Sequence, residues 1–220
     1  MVIHPDFERV ADLFFRLTEE QPYGGASLAI YKEGEVVIDV FAGKSSESEP
    51  WTSETVSPVF STSKGLLSVI SHRFIERGLL NPDERVSTYW PEFAQSGKED
   101  VTVAMVLRHR AGLSAPRKQL TYQDLIDVIP VEEALAAQEP IWQPDTGYLY
   151  HAKSIGHLMG KILFNISGQR INHLLQEEIC KPLGVDAWFG IPAEIESRVA
   201  QLKSDNAPIN EVFPVGSPLY

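Results

Sequence analysis

The sequence predicts an α/β protein of the α+β kind, in which an antiparallel sheet lobe flanked by helices is joined to a mostly helical lobe. Three observations predict it. Residues 5–20 place Phe7, Val10, Ala11, Phe14, Phe15 and Leu17 at three- and four-residue spacings, the period of an amphipathic helix. Residues 26–32 and 35–42 are rich in β-branched and aromatic side chains and are separated by Glu33-Gly34, a tight-turn signal, so they read as an antiparallel hairpin. From residue 56 onward almost everything reads as helix or loop.

The elements follow in order. Gly24-Gly25 ends the first helix, and residues 43–55 are polar and loop-like. In residues 56–80, Ser61, Thr62 and Ser63 are candidate helix caps. Leu66, Leu67, Val69, Ile70, Phe74 and Ile75 follow, and Gly78 stops the run. Apolar residues on more than one face predict a helix buried between layers. Prolines break residues 83–118, with a short helix near 103–107. Residues 121–128 and 131–138 read as two further helices, the first opened by Thr121 and Asp124 in the pattern of a capping box. Residues 144–150 form a loop, 151–166 a helix ended by Ser167-Gly168, and 170–180 another helix. The expected division is a sheet lobe over residues 1–60, a helical lobe over 61–200, and an irregular tail or linker over 201–220. Two strands make a marginal sheet. Partner strands are therefore expected beyond Tyr220, and the fold is expected to be incomplete at its C-terminus.

Composition bounds the function. The 220 residues are 43% apolar, enough for a core, and carry a formal net charge of −11. Such a surface repels nucleic acid and anionic membranes, and the densest basic stretch, Arg108-His109-Arg110, is too short to track phosphates. Neither nucleic acid nor membrane is expected as a partner. The single cysteine, Cys180, permits no intrachain disulfide and reads as a packed small hydrophobe. No apolar run approaches the roughly 18 residues of a membrane span. The N-terminus, with Asp6, Glu8 and Arg9, does not read as a signal peptide, so a cytoplasmic location is expected, with a presequence removed earlier left open.

The chemistry-bearing pattern is Ser61-Thr62-Ser63-Lys64. On a helix, positions i and i+3 share a face, so the Lys64 amine can reach the Ser61 hydroxyl. Serine is a weak nucleophile unless a base sits beside it, and lysine serves as one only when burial disfavours its ammonium. A serine in the first helical turn also offers its backbone N–H to an oxyanion. The bare pattern is common, however, and is equally a helix cap. Tyr150 has two readings as well: a general acid/base, if nearby cations stabilise its phenolate, or a packed member of an aromatic cluster with Tyr148 and Trp142. There is no Gly-x-Ser-x-Gly elbow, no His-Glu-x-x-His and no glycine-rich phosphate loop. Ser204-Asp205-Asn206 reads as a polar turn.

Several stretches together carry a resemblance. Val59-Phe60-Ser61-Thr62-Ser63-Lys64-Gly65 resembles the nucleophile motif of the beta-lactamase-like serine hydrolases, the superfamily of penicillin-binding proteins and class C beta-lactamases. Gly65 resembles the esterase-type members. Residues 25–30, 83–93 and 101–113 are similar to the family's flanking segments. His109, Gly112 and Leu113 match its His-x-Ser-Gly-Leu pattern, and Ala111 replaces the serine. Pro144-Asp145-Thr146-Gly147-Tyr148-Leu149-Tyr150-His151-Ala152 resembles the second, tyrosine motif. There Asp145 replaces a glycine, Ala152 stands where asparagine is frequent, and Tyr148 is the competing tyrosine.

The resemblance implies a beta-lactamase/transpeptidase-like fold and acyl transfer without cofactor or metal. Ser61, Lys64 and Tyr150 would be the catalytic residues and the Ser61 N–H one oxyanion donor. Phe60, His109, Tyr148, His151 and Ala152 would be supporting or pocket residues. The absent amide at position 152 points to a small-ester carboxylesterase. A beta-lactamase or D-alanyl-D-alanine carboxypeptidase, an acyltransferase, and a non-catalytic structural or sensory protein are the alternatives. The family's third motif, on a strand that supplies the second oxyanion donor, does not occur after Tyr150. The implied partners are thus a small ester or amide substrate and a C-terminal segment from the same or a second chain. The 220 residues alone are expected to be inactive.

Overall fold

The computed structural model describes residues 1–20 and 24–202. The chain divides into two units, one of residues 1–58 and 192–220 and the other of residues 59–191.

In the first unit, strands β1 (Val2–Ile3), β2 (Gly25–Lys32) and β3 (Glu35–Gly43) form an antiparallel sheet in the order β1-β3-β2. β2 and β3 are the expected hairpin. Glu33 and Gly34 both adopt positive φ (54° and 87°), the two-residue turn whose twist matches that of the strands. The register pairs Leu28 with Val40 and Ile30 with Ile38, with an irregularity between Ile30 and Tyr31. Helix α1 (Glu8–Glu19) covers one face, and Ala11 packs with buried Ile38 and Val40 against Phe7, Phe14 and Phe15. Two features depart from the sequence reading. The first helix begins as a 3-10 turn (Pro5–Phe7), with the His4 side chain accepting from Asp6 N–H. Val2 and Ile3 add a third strand beside β3. The segment after residue 191 also returns to this unit. Val56 N–H donates to Arg198 O at 3.0 Å and Ala200 N–H to Val56 O at 2.8 Å, so the described residues 192–202 join the sheet unit and not the helical block. Ser204-Asp205-Asn206 and most of the 201–220 tail lie outside the described residues.

The second unit is helical. Its core elements are α2 (Ser63–Glu76), α3 (Val86–Tyr89), α4 (Val103–Leu107), α5 (Tyr122–Asp127), α6 (Ile129–Ala137), α7 (Ser154–Ser167) and α8 (Ile171–Leu175). Ile70, Leu135, Leu158, Met159, Ile162 and Leu175 are fully buried in one shared cluster. α2 is buried along one face, through Leu67, Ile70 and Phe74, while Val69 remains 49% exposed. It is therefore less enclosed than its composition predicts. The expected 170–180 helix changes pitch: α8 passes into a π-turn (Gln176–Cys180) and then a short α9 (Lys181–Leu183), stopped by Gly184 at φ 63°. Cys180 is buried, and its thiol donates to Ala187 O.

Two buried charges tie distant segments together. Lys98 is fully buried. Its Nζ donates to Gln95 O at 2.7 Å and to Gln138 O at 2.5 Å, which replaces part of its lost hydration. Glu132 on α6 is 2% exposed and accepts from Arg170 at 2.7 Å, joining α6 to the start of α8.

Candidate active site

Ser61 lies in a 3-10 turn (Phe60–Thr62) that runs directly into α2. Phe60 opens the turn at φ 46°, a conformation that bulky residues rarely adopt, and its ring is 72% exposed. The turn delivers the hydroxyl to the front of the helix. Lys64, one turn on, donates from Nζ to Ser61 Oγ at 3.1 Å. The i, i+3 geometry read from the sequence is therefore formed. The apolar shelter expected around it is thinner, because Val59 and Phe60 face outward and Ser61 is exposed.

Tyr150 arrives from the loop ahead of α7. Its ring centroid lies 4.8 Å from Lys64 Nζ, and hydrogen bonding of its hydroxyl toward Ser61 and Lys64 acts on its pKa. Those two hydrogen bonds, first to Ser61 and then to Lys64, pull the Tyr150 pKa below the ordinary phenol value. Desolvation opposes them, and the Lys64 charge, the smallest effect, acts in their direction. Tyr148, the competing tyrosine, is 63% exposed and meets His109 edge-on at 6.1 Å. Tyr150 instead packs on His109, with ring centroids 4.9 Å apart. The aromatic neighbour at Tyr150 is thus a histidine, whereas the sequence pointed to a cluster with Tyr148 and Trp142. Trp142 lies over Gly147, where a Cβ would come within 2.9 Å of the indole.

Two histidines hold this loop in place. His151 is fully buried. Its Nε2 accepts from Leu113 N–H at 3.1 Å, and its Nδ1 lies 2.6 Å from Leu149 O, which fixes the neutral Nδ1–H tautomer. His109, at φ 60°, accepts on Nδ1 from His151 N–H at 3.1 Å, and its own carbonyl accepts from Leu149 N–H at 3.3 Å. Arg110 pairs with the Asp145 carboxylate, and Asp145 N–H returns to Arg110 O at 3.0 Å. The loops before α5 and before α7 are thus joined around Tyr150. His151, expected to open the helix, instead precedes α7 as a buried internal strut.

Burial lowers the pKa of His151. Burial, followed by the charges of His151 and Lys64, lowers that of His109. A histidine with a depressed folded pKa contributes stability that is present above its unfolded value of about 6.5 and is lost as pH falls through the folded value. The melting temperature is therefore expected to hold above pH ~7 and to decline in acid, with a shallower decline in His151→Gln. A pH–Tm series on both proteins checks this, and parallel curves would remove His151 from the account.

Ser61 and Lys64, with Phe60 and Ala152, line a cavity of about 950 Å³. The sequence reading missed Val128, Glu132, Gly156, Gly160 and Arg170, which also line it. Among the described residues, no group of three His, Cys, Asp or Glu side chains is placed to hold a metal ion, and no helix is long and apolar enough to cross a membrane.

This geometry can be set beside known proteins. The Beta-lactamase family model matches residues 10–220. The chain belongs to the Beta-lactamase family. Within that family it is 36% identical, over 207 residues, to the Esterase/beta-lactamase LipL of Mycobacterium tuberculosis, covering 90% of this chain and 47% of LipL. Among solved structures, a family VIII carboxylesterase superposes with TM-score 0.88 at 35% identity, covering 92% of this chain and 57% of that one. A penicillin-binding protein homologue from Caulobacter crescentus superposes with TM-score 0.87 at 33% identity, covering 93% and 56%. The fold is that of the beta-lactamase-like esterases and penicillin-binding proteins. The chain spans about half the length of the curated relatives it matches.

Proposed function

We propose that this Beta-lactamase family member is a serine hydrolase that cleaves small carboxylic esters through a covalent acyl-enzyme. The observation that carries the reading is the meeting of three groups: the Lys64 amine lies 3.1 Å from Ser61 Oγ and 4.8 Å from the centre of the Tyr150 ring. Ser61 Oγ attacks the ester carbonyl carbon as its proton passes to Tyr150, whose phenolate the Lys64 charge stabilises. The carbon–oxygen bond to the alcohol breaks, and the alcohol leaves with the proton from Tyr150. Water then attacks the acyl-serine and releases the acid, so ester and water give acid and alcohol. Ala152 offers no amide to grip a lactam or peptide, which favours esters.

The likeness to a protein named as both esterase and beta-lactamase makes beta-lactam hydrolysis the second reading. We further propose that turnover needs a C-terminal segment, from the same or a second chain, that completes the sheet and supplies the second oxyanion donor. Losing one such donor costs roughly 3–4 kcal/mol. The full-length protein is expected to hydrolyse p-nitrophenyl acetate and butyrate. Efficient cleavage of nitrocefin with both esters untouched would reverse the ranking.

A further inference from the structure

The cavity beside Ser61 extends well past the reacting groups. Its near end is set by Ser61, Lys64 and Ala152. Gly160, Glu132 and Arg170 also line it and lie together, since Lys161, next to Gly160, is 3.9 Å from the Glu132 that accepts from Arg170, and Gly160 is one turn farther along α7 from Tyr150 than Gly156. The lining is mostly apolar, through Leu67, Ile126, Val128, Ile155 and Phe189, and also includes Asp127, His157 and Asn172. At about 950 Å³ the cavity is at the upper end of the ~300–1,000 Å³ range of small-molecule sites.

Two details show that this space is kept open. On the cavity side α7 presents Gly156 and Gly160, one turn apart, and a Cβ at either position would meet nothing within 4 Å. Each glycine costs the helix about 1 kcal/mol relative to alanine, and packing does not require it. Val128 stands at φ 65°, ψ −49°, a conformation that β-branched residues rarely adopt. Its side chain is one of those lining the cavity, and such strain is characteristic of ligand clamps.

The direction of the substrate follows from Tyr150, which is not among the lining residues. In the proposed reaction the leaving oxygen must lie within hydrogen-bond reach of Tyr150. The alcohol half therefore points out of the cavity and the acyl half into it. At ~1.5 Å rise per residue, the wall from Ile155 to Gly160 is about 7.5 Å long, or roughly six carbon–carbon bonds of an extended chain built from ~1.5 Å bonds.

We propose that this cavity is an acyl-chain subsite that takes straight apolar chains of about eight carbons and ends at the Glu132–Arg170 pair. The proposal rests on the ester-hydrolase reading and extends its acyl range beyond the smallest esters. Two ester series on the full-length protein test it: p-nitrophenyl esters from acetyl to dodecanoyl, and acetate esters of lengthening alcohols. In the first, kcat/KM is expected to rise about two- to fourfold per methylene up to octanoyl, the gain of burying one CH₂, and then to fall. In the second it is expected to change less than about twofold across the whole series, because the apolar lining described takes the acyl half and not the alcohol. Gly156→Leu, at an exposed helical position, and Gly160→Leu are each expected to cut the octanoyl-to-acetyl ratio by about tenfold or more. A profile flat or falling from acetyl onward, a dependence on alcohol length instead, or a ratio unmoved in both leucine variants would overturn the subsite while leaving the hydrolase reading intact. Absence of any Ser61-dependent ester turnover would overturn that reading, and the subsite with it.

Discussion

Ser61→Ala is expected to abolish covalent labelling of the full-length protein by a fluorophosphonate, and Lys64→Ala to come close to doing so. Ester turnover should fall by about 10⁴-fold or more in each, because groups that act as a unit lose nearly the whole effect when one is removed. The reason is local. In the proposed reaction the groups that move the Ser61 proton lie within one helical turn and one loop, and Lys64 Nζ is 3.1 Å from Ser61 Oγ. Without the amine, the Tyr150 phenolate loses both a hydrogen bond and a compensating charge, so its pKa climbs back toward the ordinary value. Mass spectrometry of the reacted protein should place the adduct on Ser61. An adduct on Ser63, which also faces the cavity, or on Ser204 would overturn the assignment.

How far these features could be read from the sequence depends on how local their causes are. The β2–β3 hairpin was legible because alternation and the Glu33-Gly34 turn are written in consecutive residues. So was the capping box at α5, where Thr121 and Asp124 bond reciprocally. The Ser61–Lys64 contact needs only a three-residue spacing. β1 was not legible, since two exposed residues carry no period and gain their strand only from β3. Gln138, one of the two acceptors of Lys98, and Arg170, which donates to Glu132, each lie about 40 residues from their partner, so these pairings leave no local mark. The same holds for His109 and His151, 42 residues apart, whose pairing brings the tyrosine loop to α2. Tyr150 itself emerged through family resemblance, because nothing in Tyr-x-Tyr chooses between its two tyrosines. The cavity was hidden for a different reason. Its open side is made by glycines and by a strained valine, and neither has a signature that composition or periodicity can read.

Tyr150→Phe is expected to lower kcat by about 10²–10⁴-fold, the usual worth of a positioned acid/base, while Tyr148→Phe stays within a few fold of the parent. Both changes keep the ring and remove one hydroxyl, so differences in packing largely cancel. The contrast comes from position: the Tyr150 ring lies 4.8 Å from Lys64 Nζ and its pKa is lowered by Ser61 and Lys64, whereas Tyr148 is mostly exposed and meets the edge of His109. A second readout separates proton transfer from mere positioning. With its pKa held below the ordinary phenol value by Ser61 and Lys64, Tyr150 gains phenolate at a lower pH than a free tyrosine. A Tyr150-dependent limb of kcat/KM should therefore rise with pH through a value below about 10 and vanish in the phenylalanine variant. Replacing Lys64 by methionine should move any residual limb upward, since it removes a hydrogen bond and a charge that favour the ionised form. Equal losses in the two phenylalanine variants, or a larger loss at Tyr148, would transfer the acid/base role to the other tyrosine. A limb that persists unchanged in Tyr150→Phe would show that another group carries the proton.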